Sequence, residues 1–200
     1  MSVAVKPSKR ELTRNKVIQA AIDCIYEEGF HAAHTNRIAE SAGVSWGVLQ
    51  YHFGDKDGLL QAVLDRTFTG FADKLADTNL SDRQLKPRIR SLISVIWSLV
   101  SSREYRVNNA ILRNAGLSKD SSIDGQNQVN TWAKKIAPLW RQVFIEQCDE
   151  PTNSEAVKRL MFAALRGLAD ELNPEGRASQ KALDMEFDAL ADALTFLLEK

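Results

Sequence analysis

Apolar side chains recur at helical spacing along almost the whole chain, and this periodicity constrains the fold more than any other feature. Ile18, Ala21, Ile22 and Ile25 occupy positions i, i+3, i+4 and i+7, which share one face of an α-helix. No segment of the sequence shows a convincing alternation of apolar and polar residues, the pattern of a half-buried strand. The sequence therefore predicts an all-α protein with about nine helices.

Capping residues and helix breakers divide this pattern into segments. We expect a first helix with Thr13 as its N-cap, with Leu12 and Val17 forming a hydrophobic staple and Gly29 ending the helix. The clearest linker is predicted at 77–82. The sequence also predicts a loop at 117–128 and further helices over 35–42, 45–53, 55–75, 87–100, 105–113, 129–144, 155–172 and 180–198.

Composition places the chain among soluble globular proteins, with 44% hydrophobic and 26% charged residues and no net charge. Two isolated cysteines, Cys24 and Cys148, exclude a disulfide framework and suit a reducing compartment. Since no signal peptide or apolar span is evident, we expect a cytoplasmic protein without membrane contact. Residues 1–16 carry five basic side chains against one acidic side chain, which fits either a solvated tail or a nucleic-acid-binding arm.

Residues 34–53 have the spacing of two short helices joined by a sharp turn. The small Ala39 lets the helices approach, Gly43 makes the turn, and Val44 and Leu49 fill the junction. A DNA-binding helix-turn-helix has this arrangement and places its second helix in the major groove. A purely structural helical hairpin shares the spacing, so the residues of the second helix must decide between the two.

The second helix carries an unusual set of side chains on its predicted outer face. Leu49 and Phe53 are predicted to face the core, which turns Trp46, Gly47, Gln50 and Tyr51 outward. Glycine permits close approach, glutamine can bind an adenine edge, and tryptophan can contact a thymine methyl group. The side chains predicted to reach phosphate oxygens are Ser45, Tyr51, His52 and Lys56.

The segment "GFHAAHTNRIAESAGVSWGVLQYHFGDKDGLL" resembles the signature of the tetracycline-repressor (TetR) family of transcriptional regulators. Ile38-Ala39, "AGVS", the glycine after Ser45-Trp46, "YHF" and the Lys56-x-x-Leu59-Leu60 pattern fall in register without a gap. The resemblance covers roughly residues 13–65 and implies an all-α homodimer with a three-helix DNA-binding head and a C-terminal helical bundle. It also implies a sequence-specific regulator, usually a repressor released by a small effector.

Carried over position by position, the resemblance implies DNA contacts by the outer-face and phosphate-binding residues named above. Ala33 and His34 replace the threonines that the family usually has before its second helix, so Thr35 and Arg37 are substitute phosphate contacts. The family often has a basic residue where Trp46 stands and tyrosine where Gln50 stands, which implies an unusual operator. The implied domains are an arm at 1–12, a DNA-binding domain at 13–54, a connecting helix at 55–78 and an effector-binding and dimerisation domain at 79–200.

The last two helices carry more apolar surface than one core-facing stripe needs. Their stripes run from Val157 to Leu172 and from Leu183 to Leu197, and Gly167 and the alanines of these helices permit close helix packing. The pattern does not separate core from dimer seam. We expect a homodimer contact by Phe162, Arg166, Gly167, Phe187, Leu190 and Leu194.

Three of the four tryptophans, Trp97, Trp132 and Trp140, lie in the C-terminal part of the chain, and Pro138 is expected to kink the helix beside Trp140. Large rings leave irregular gaps, so this region is either a small-molecule pocket or a filled aromatic core. For a pocket we expect a mostly apolar organic effector, lined by Trp97, Tyr105, Asn108, Asn109, Leu112, Trp132, Ile136, Trp140 and Phe144.

Two other classes of function compete with a regulator. The sequence has no phosphate-binding glycine loop, nucleophile elbow or close pairing of metal ligands, so we expect no catalytic residues, no metal and no cofactor. A helical protein-interaction module would explain the C-terminal stripes but not the face of Trp46 to His52. A regulator without an effector stays open as an alternative.

Overall fold

The computed structural model describes residues 7–78, 84–115, 121–141, 143, 153–172 and 180–199. Across these ranges the secondary structure is helical and contains no strand. The helices are α1 (Lys9–Glu28), α2 (Thr35–Ser41), α3 (Trp46–Phe53), α4 (Lys56–Ala76), α5 (Leu85–Val100), α6 (Arg103–Ala115), α7 (Gly125–Arg141), α8 (Ser154–Leu172) and α9 (Asp184–Leu198). The predicted all-α fold is confirmed.

The chain forms two compact units. The first, here called the head, comprises Met1–Thr67 and Arg106–Gln128, and the second, the body, comprises Phe68–Tyr105 and Val129–Lys200. The expected boundary at 77–82 lies partly outside the described residues, and the observed division falls inside α4 instead. α4 therefore contributes to both units: its buried Leu60 belongs to the head, whereas Phe71 and Leu75 belong to the core of the body.

Residues 106–128 contact the head through polar side chains of residues that are far apart in the sequence. The carboxylate of Asp57 accepts hydrogen bonds from the Ser121 hydroxyl at 3.1 Å and from the Ser122 amide at 2.5 Å. Eight residues further along α4, Asp65 accepts from the side-chain amide of Gln128 at 3.3 Å. These contacts explain why the segment does not belong with the rest of the expected 79–200 domain.

The core of the head follows the periodicity of α1. Ile18, Ala21, Ile22 and Ile25 are all buried, as the apolar stripe predicts. α1 packs against the 3₁₀ turn at Phe30–Ala32 and against α2, and α2 packs against α3. This packing fixes the position of α3, the helix expected to bind DNA.

α1 begins five residues earlier than expected, so the prediction of Thr13 as its N-cap is wrong. Ser8 is the N-cap: its hydroxyl accepts from the Glu11 amide at 3.2 Å, while the Glu11 carboxylate accepts from the Ser8 amide at 2.7 Å. These hydrogen bonds lower the pKa of Glu11, the bond from the Ser8 backbone most of all. The hydroxyl of Thr13 instead donates to the Lys9 carbonyl at 3.0 Å, and Leu12 is exposed rather than stapled to Val17.

The body is built around α5, which packs against α8 and α9. Its apolar face buries Ile93 and Trp97, and the Trp97 ring meets Phe187 of α9 edge-on with centroids 5.3 Å apart. The Arg90 guanidinium lies 5.0 Å from the Phe187 ring centroid. The sequence prediction of a largely buried central helix at 87–100 is confirmed.

The starts of α7 and α9 also differ from expectation. α7 begins at Gly125 inside the predicted 117–128 loop, because Asp124 caps it: the Asn127 amide donates to the Asp124 carboxylate at 3.0 Å. Residues 117–120 of that loop lie outside the described residues. A 3₁₀ turn over Gln180–Leu183 precedes α9, where the sequence suggested one continuous helix.

Candidate nucleic-acid interface

A tight turn joins α2 to α3. The Val44 amide donates to the Ala39 carbonyl at 3.0 Å, which closes the turn. Gly43 has a φ of 61°, in the left-handed region that glycine adopts without steric cost. The Ser45 hydroxyl then accepts from the Val48 amide at 3.4 Å and caps α3. The turn and the cap therefore match the sequence prediction.

α3 has one buried side and one exposed side. Leu49 is 1% exposed, whereas Trp46 is 51% and Tyr51 is 70% exposed. Gly47 and Gln50 are also exposed. We call these four outward residues (Trp46, Gly47, Gln50 and Tyr51) the α3 face, and their orientation agrees with the sequence prediction.

The glycine of the α3 face is not required by the fold. A Cβ added to Gly47 would meet nothing nearer than the Ser45 hydroxyl, 4.0 Å away, and the φ of Gly47 is not positive. Gly58 of α4 is the opposite case, because a Cβ there would lie 2.0 Å from the carbonyl oxygen of Phe53. Glycine inside a helix costs about 0.5–1 kcal/mol relative to alanine. The space beside Gly47 is therefore open to an external partner.

The two residues that end α3 are only half-buried. His52 lies edge-on to Tyr51 with ring centroids 5.2 Å apart, and its Nδ1 is buried without a hydrogen-bond partner among the described residues. The expected phosphate contact by His52 is thus limited to its other ring nitrogen. Phe53, expected in the core, is partly exposed and lies beneath the Arg14 guanidinium at 5.3 Å.

Lys56 begins α4 directly after α3. Its Nζ lies 5.0 Å from the ring centroid of Phe30, so the side chain is held at the helix start. Asp55 caps the same helix by accepting from the Gly58 amide at 2.8 Å. A lysine at a helix N-terminus adds its charge to the positive end of the helix dipole, an arrangement that favours phosphate.

The side chains proposed as substitutes near α2 are less available. Arg37 forms an ion pair with Glu28, so part of its charge is already neutralised. Thr35 is half-buried in the first turn of α2. His34 occupies the N-cap position of α2 and makes no side-chain capping bond.

The structure adds two arginines to which the sequence analysis gave no individual role, one in the predicted arm and one at the start of the predicted first helix. Arg10 and Arg14 are one turn apart on α1, and the Arg10 guanidinium lies 5.5 Å from the ring centroid of Tyr51. Arg14 lies over Phe53 in the same way. Their i, i+4 spacing was the signal for one basic helix face, and the misplaced helix start at Thr13 concealed it.

The residues expected to line an effector pocket are divided between the two units. In the body, Trp97 and Trp140 are buried and Tyr105 is half-buried. Trp132 is half-buried and stacks on Phe68 with centroids 5.1 Å apart and planes 2° from parallel. Trp97 and Trp140 belong to the hydrophobic core of the body and Tyr105 packs against it, which also fits the alternative of a packed aromatic core.

The remaining expected pocket residues lie elsewhere. Asn108, Asn109 and Leu112 belong to the head. Asn108 is buried, and its side-chain oxygen has no hydrogen-bond partner within the part of the chain that the structure describes. The side chain of Ile136 and all of Phe144 lie outside the described residues.

Two of the expected dimer contacts are corrected by the structure. Phe187 and Leu194 are buried in the chain's own core, because α9 turns these residues towards α5 and α8. They are therefore not available to a partner. Phe162 and Leu190 are half-buried, and Arg166 and Gly167 are exposed.

Exposed apolar residues nevertheless follow both helices. Leu160, assigned from sequence to the same stripe as the core residues of α8, is 52% exposed, and Phe196 of α9 is 58% exposed. They belong to two stripes at helical spacing, which we call the outer stripes: Ala156, Leu160, Ala163 and Gly167 on α8, and Met185, Ala189, Ala193 and Phe196 on α9.

No helix within the described ranges has the length and apolar content needed to cross a bilayer.

Residues 17–63, which span most of α1 through the first part of α4, match the family model described as bacterial regulatory proteins, tetR family. The HTH-type transcriptional regulator BetI of Pectobacterium atrosepticum is 32% identical over 90 residues, which cover 44% of this chain and 46% of that protein. The chain thus spans less than half the length of this relative.

Similarity of fold extends over nearly the whole chain. A TetR family protein from Vibrio parahaemolyticus is 25% identical with a TM-score of 0.64, covering 90% of this chain and 97% of that structure. The multidrug binding protein EbrR, solved in complex with imidazole, is 20% identical with a TM-score of 0.66, covering 99% and 97%. The second likeness concerns the fold alone.

Proposed function

We propose that the chain is a member of the tetR family of bacterial regulatory proteins and acts as a sequence-specific DNA-binding transcriptional regulator without enzymatic activity. In this proposal it acts as a homodimeric repressor that a small, mostly apolar organic molecule releases from its operator. The observation that carries the proposal is the α3 face, in which two large exposed rings flank a glycine that the fold does not require.

Each residue of the α3 face has a chemical role at a major groove. Gln50 can donate and accept at once, which suits the N6 and N7 edge of adenine. Gly47 lets the helix backbone approach the base edges, and the exposed indole of Trp46 offers apolar contact to a thymine methyl group. A monomeric soluble protein gains nothing by exposing these groups together, because apolar patches of this kind mark binding sites.

Phosphate contacts would fix the register of α3 in the groove. In this proposal the phosphate contacts come from Ser45 and Tyr51, near the two ends of α3, and from Lys56 at the start of α4. Thr35 and Arg37 contribute less in this proposal, since one is half-buried and the other is paired with Glu28.

A homodimer would present two α3 faces to one operator. The outer stripes support this arrangement, because they combine large apolar residues with alanines and a glycine that allow close helix approach. Two copies packed through α8 and α9 would form a four-helix seam. Twofold symmetry then predicts an inverted-repeat operator with half-sites about one DNA turn apart or somewhat more.

The body is the proposed effector-binding unit. Its tryptophans would supply an apolar lining, and the half-buried Trp132 is the ring most able to respond to a ligand. The similarly folded EbrR is described as a multidrug binding protein, which supports a small organic molecule as the ligand class. By linkage, a molecule that releases DNA must bind the DNA-free protein more tightly, with a coupling of ~1–3 kcal/mol.

A gel-shift titration against the DNA that flanks the protein's own gene tests the proposed DNA binding. We expect Gln50→Ala to weaken specific binding by ~1–3 kcal/mol, because a bidentate base contact is lost. Asn127→Ala is the matched control, since it removes an exposed amide side chain from the start of α7. Equal affinity of the wild type and Gln50→Ala for a specific site would contradict the role given to α3.

Tryptophan fluorescence tests the proposed effector. In a Trp46→Phe background, which removes the exposed indole of the α3 face, a panel of apolar acids, aromatic compounds and drugs is titrated with and without operator DNA. A true effector quenches emission, loses this effect in Trp132→Phe and binds more weakly when DNA is present. A panel that neither changes emission nor releases DNA favours the alternative, a regulator with a packed aromatic core and no effector.

A further inference from the structure

Two cationic side chains of α1 lie over aromatic rings of α3. The guanidinium carbon of Arg10 is 5.5 Å from the ring centroid of Tyr51, and that of Arg14 is 5.3 Å from the centroid of Phe53. The reciprocal hydrogen bonds between Ser8 and Glu11 fix the start of the helix that carries both arginines. Arg10 is therefore held by helical backbone one turn before Arg14.

The two cation–π pairs, Arg10 with Tyr51 and Arg14 with Phe53, differ in exposure. Tyr51 is 70% exposed and Arg10 is also exposed, whereas Phe53 is half-buried. An exposed cation–π contact adds little to folding stability. Arg14 covers a partly buried ring, whereas Arg10 covers a ring on the α3 face. The contact between Arg10 and Tyr51 therefore affects the surface that is proposed to bind DNA.

The charge of Arg10 is not neutralised within the part of the chain that the structure describes. No carboxylate among the described residues forms an ion pair or a hydrogen bond with it, in contrast to Arg37, which is paired with Glu28. A guanidinium that lies over the face of a ring still has its N–H donors, all of which lie in the guanidinium plane. These donors match the geometry of a phosphate group.

We infer that Arg10 is a positioning residue of the DNA-binding surface: it holds the Tyr51 ring in place and binds a backbone phosphate beside it. The inference rests on the proposed function and extends the interface from α3 to the first turn of α1. Tyr51 alone has two freely rotating side-chain bonds on an exposed surface, so the arginine restricts the ring before DNA arrives. Arg10 and Tyr51 then act as one unit.

A double-mutant cycle on the full-length protein tests this coupling. The DNA is a duplex enriched by the wild type from a random-sequence library, and dissociation constants are measured over a range of salt concentrations. Arg10→Ala is expected to weaken binding on the order of tenfold and to reduce the salt slope by about 1, as for one lost phosphate contact. Arg10→Lys keeps the charge and is expected to restore most of the salt slope.

The double-mutant cycle distinguishes a positioning role of Arg10 from a purely electrostatic role of its charge. In the Tyr51→Ala background, Arg10→Ala is expected to cost clearly less than in the wild type, because the ring that it positions is absent. Arg14→Ala is the matched control: it removes the same charge one turn away, stacks on a different ring, and is expected to be additive with Tyr51→Ala. All of these variants should melt like the wild type or, for Arg14→Ala, slightly below it.

Two results would overturn the inference while leaving the proposed function intact. The first is that Arg10→Ala binds DNA with the same affinity and the same salt slope as the wild type. The second is that the effects of Arg10→Ala and Tyr51→Ala on the binding free energy are additive, as expected for Arg14→Ala and Tyr51→Ala. A wild-type protein that enriches no duplex from the library would overturn the proposed function and this inference together.

Discussion

Neighbouring residues of α3 are expected to respond in opposite ways to truncation. Leu49 is the only buried residue of this eight-residue helix, so it is the main anchor of α3 to the head. Leu49→Ala removes a side chain that is 1% exposed. Gln50→Ala removes the adjacent side chain, which points to solvent.

The magnitudes follow from burial. Replacing a fully buried leucine with alanine costs about 2–5 kcal/mol, through lost transfer free energy and the cavity that remains. For a chain of this size, 1 kcal/mol shifts the melting temperature by roughly 2–4 °C. Exposed substitutions such as Gln50→Ala usually stay within about 0.5 kcal/mol, and alanine has the higher helix propensity.

Calorimetry and circular dichroism at 222 nm measure both variants. Since the chain divides into a head and a body, calorimetry also detects separate melting of the two units. We expect Leu49→Ala to lower the transition of the head and Gln50→Ala to leave it unchanged while weakening DNA binding. A Gln50→Ala protein as destabilised as Leu49→Ala would refute the orientation of α3 on which the proposed function depends.

Three further outcomes are expected. Asp57→Ala leaves the serine donors at 121 and 122 without their acceptor, so the free energy of unfolding should fall by about 1–3 kcal/mol. Amide hydrogen exchange of residues 121–128 should accelerate, and unchanged exchange would contradict the role given to these hydrogen bonds. Phe196→Glu places a charge on the outer stripe of α9, and sedimentation should show a monomer with unchanged helix content, whereas a persistent dimer would exclude this seam. Burial raises the pKa of the Cys24 thiol. In a Cys148→Ser protein, where Cys24 is the remaining thiol, alkylation of Cys24 should stay slow up to about pH 9 and accelerate when the protein unfolds. Because the folded pKa is the higher one, the stability contributed by the protonated thiol is present below the ordinary pKa of 9.0 and is lost as the pH rises above it.

Local chemistry was sufficient to predict the geometry of the helix-turn-helix. Gly43 has the positive φ expected of the turn, Ser45 is the expected cap, and Leu49 faces inward. Each of these features depends on residues within a few positions along the chain. The wrong start of α1 could also have been avoided from local sequence. Ser8 and Glu11 have the spacing of a capping box, whereas Thr13 has no glutamate three residues later.

Contacts between distant segments were not predictable from one sequence. The serines that bind Asp57 are 64 and 65 residues away, and Arg90 reaches Asp184 and Asp188 across more than 90 residues. α8 and α9 have apolar residues on several faces, so only packing against α5 distinguishes core from outer stripe. Phe187 and Phe196 illustrate this, since one is fully buried and the other is exposed on the same helix.

The most direct test of the central claim is selection of duplex DNA from a random-sequence library by the full-length protein, with Gln50→Ala selected in parallel. The account predicts that the wild type enriches an inverted repeat with half-sites about one DNA turn apart or somewhat more. It also predicts that Gln50→Ala loses the preference for the adenine-containing step of each half-site. Failure of the wild type to enrich any sequence, or an identical motif enriched equally by Gln50→Ala, would contradict it.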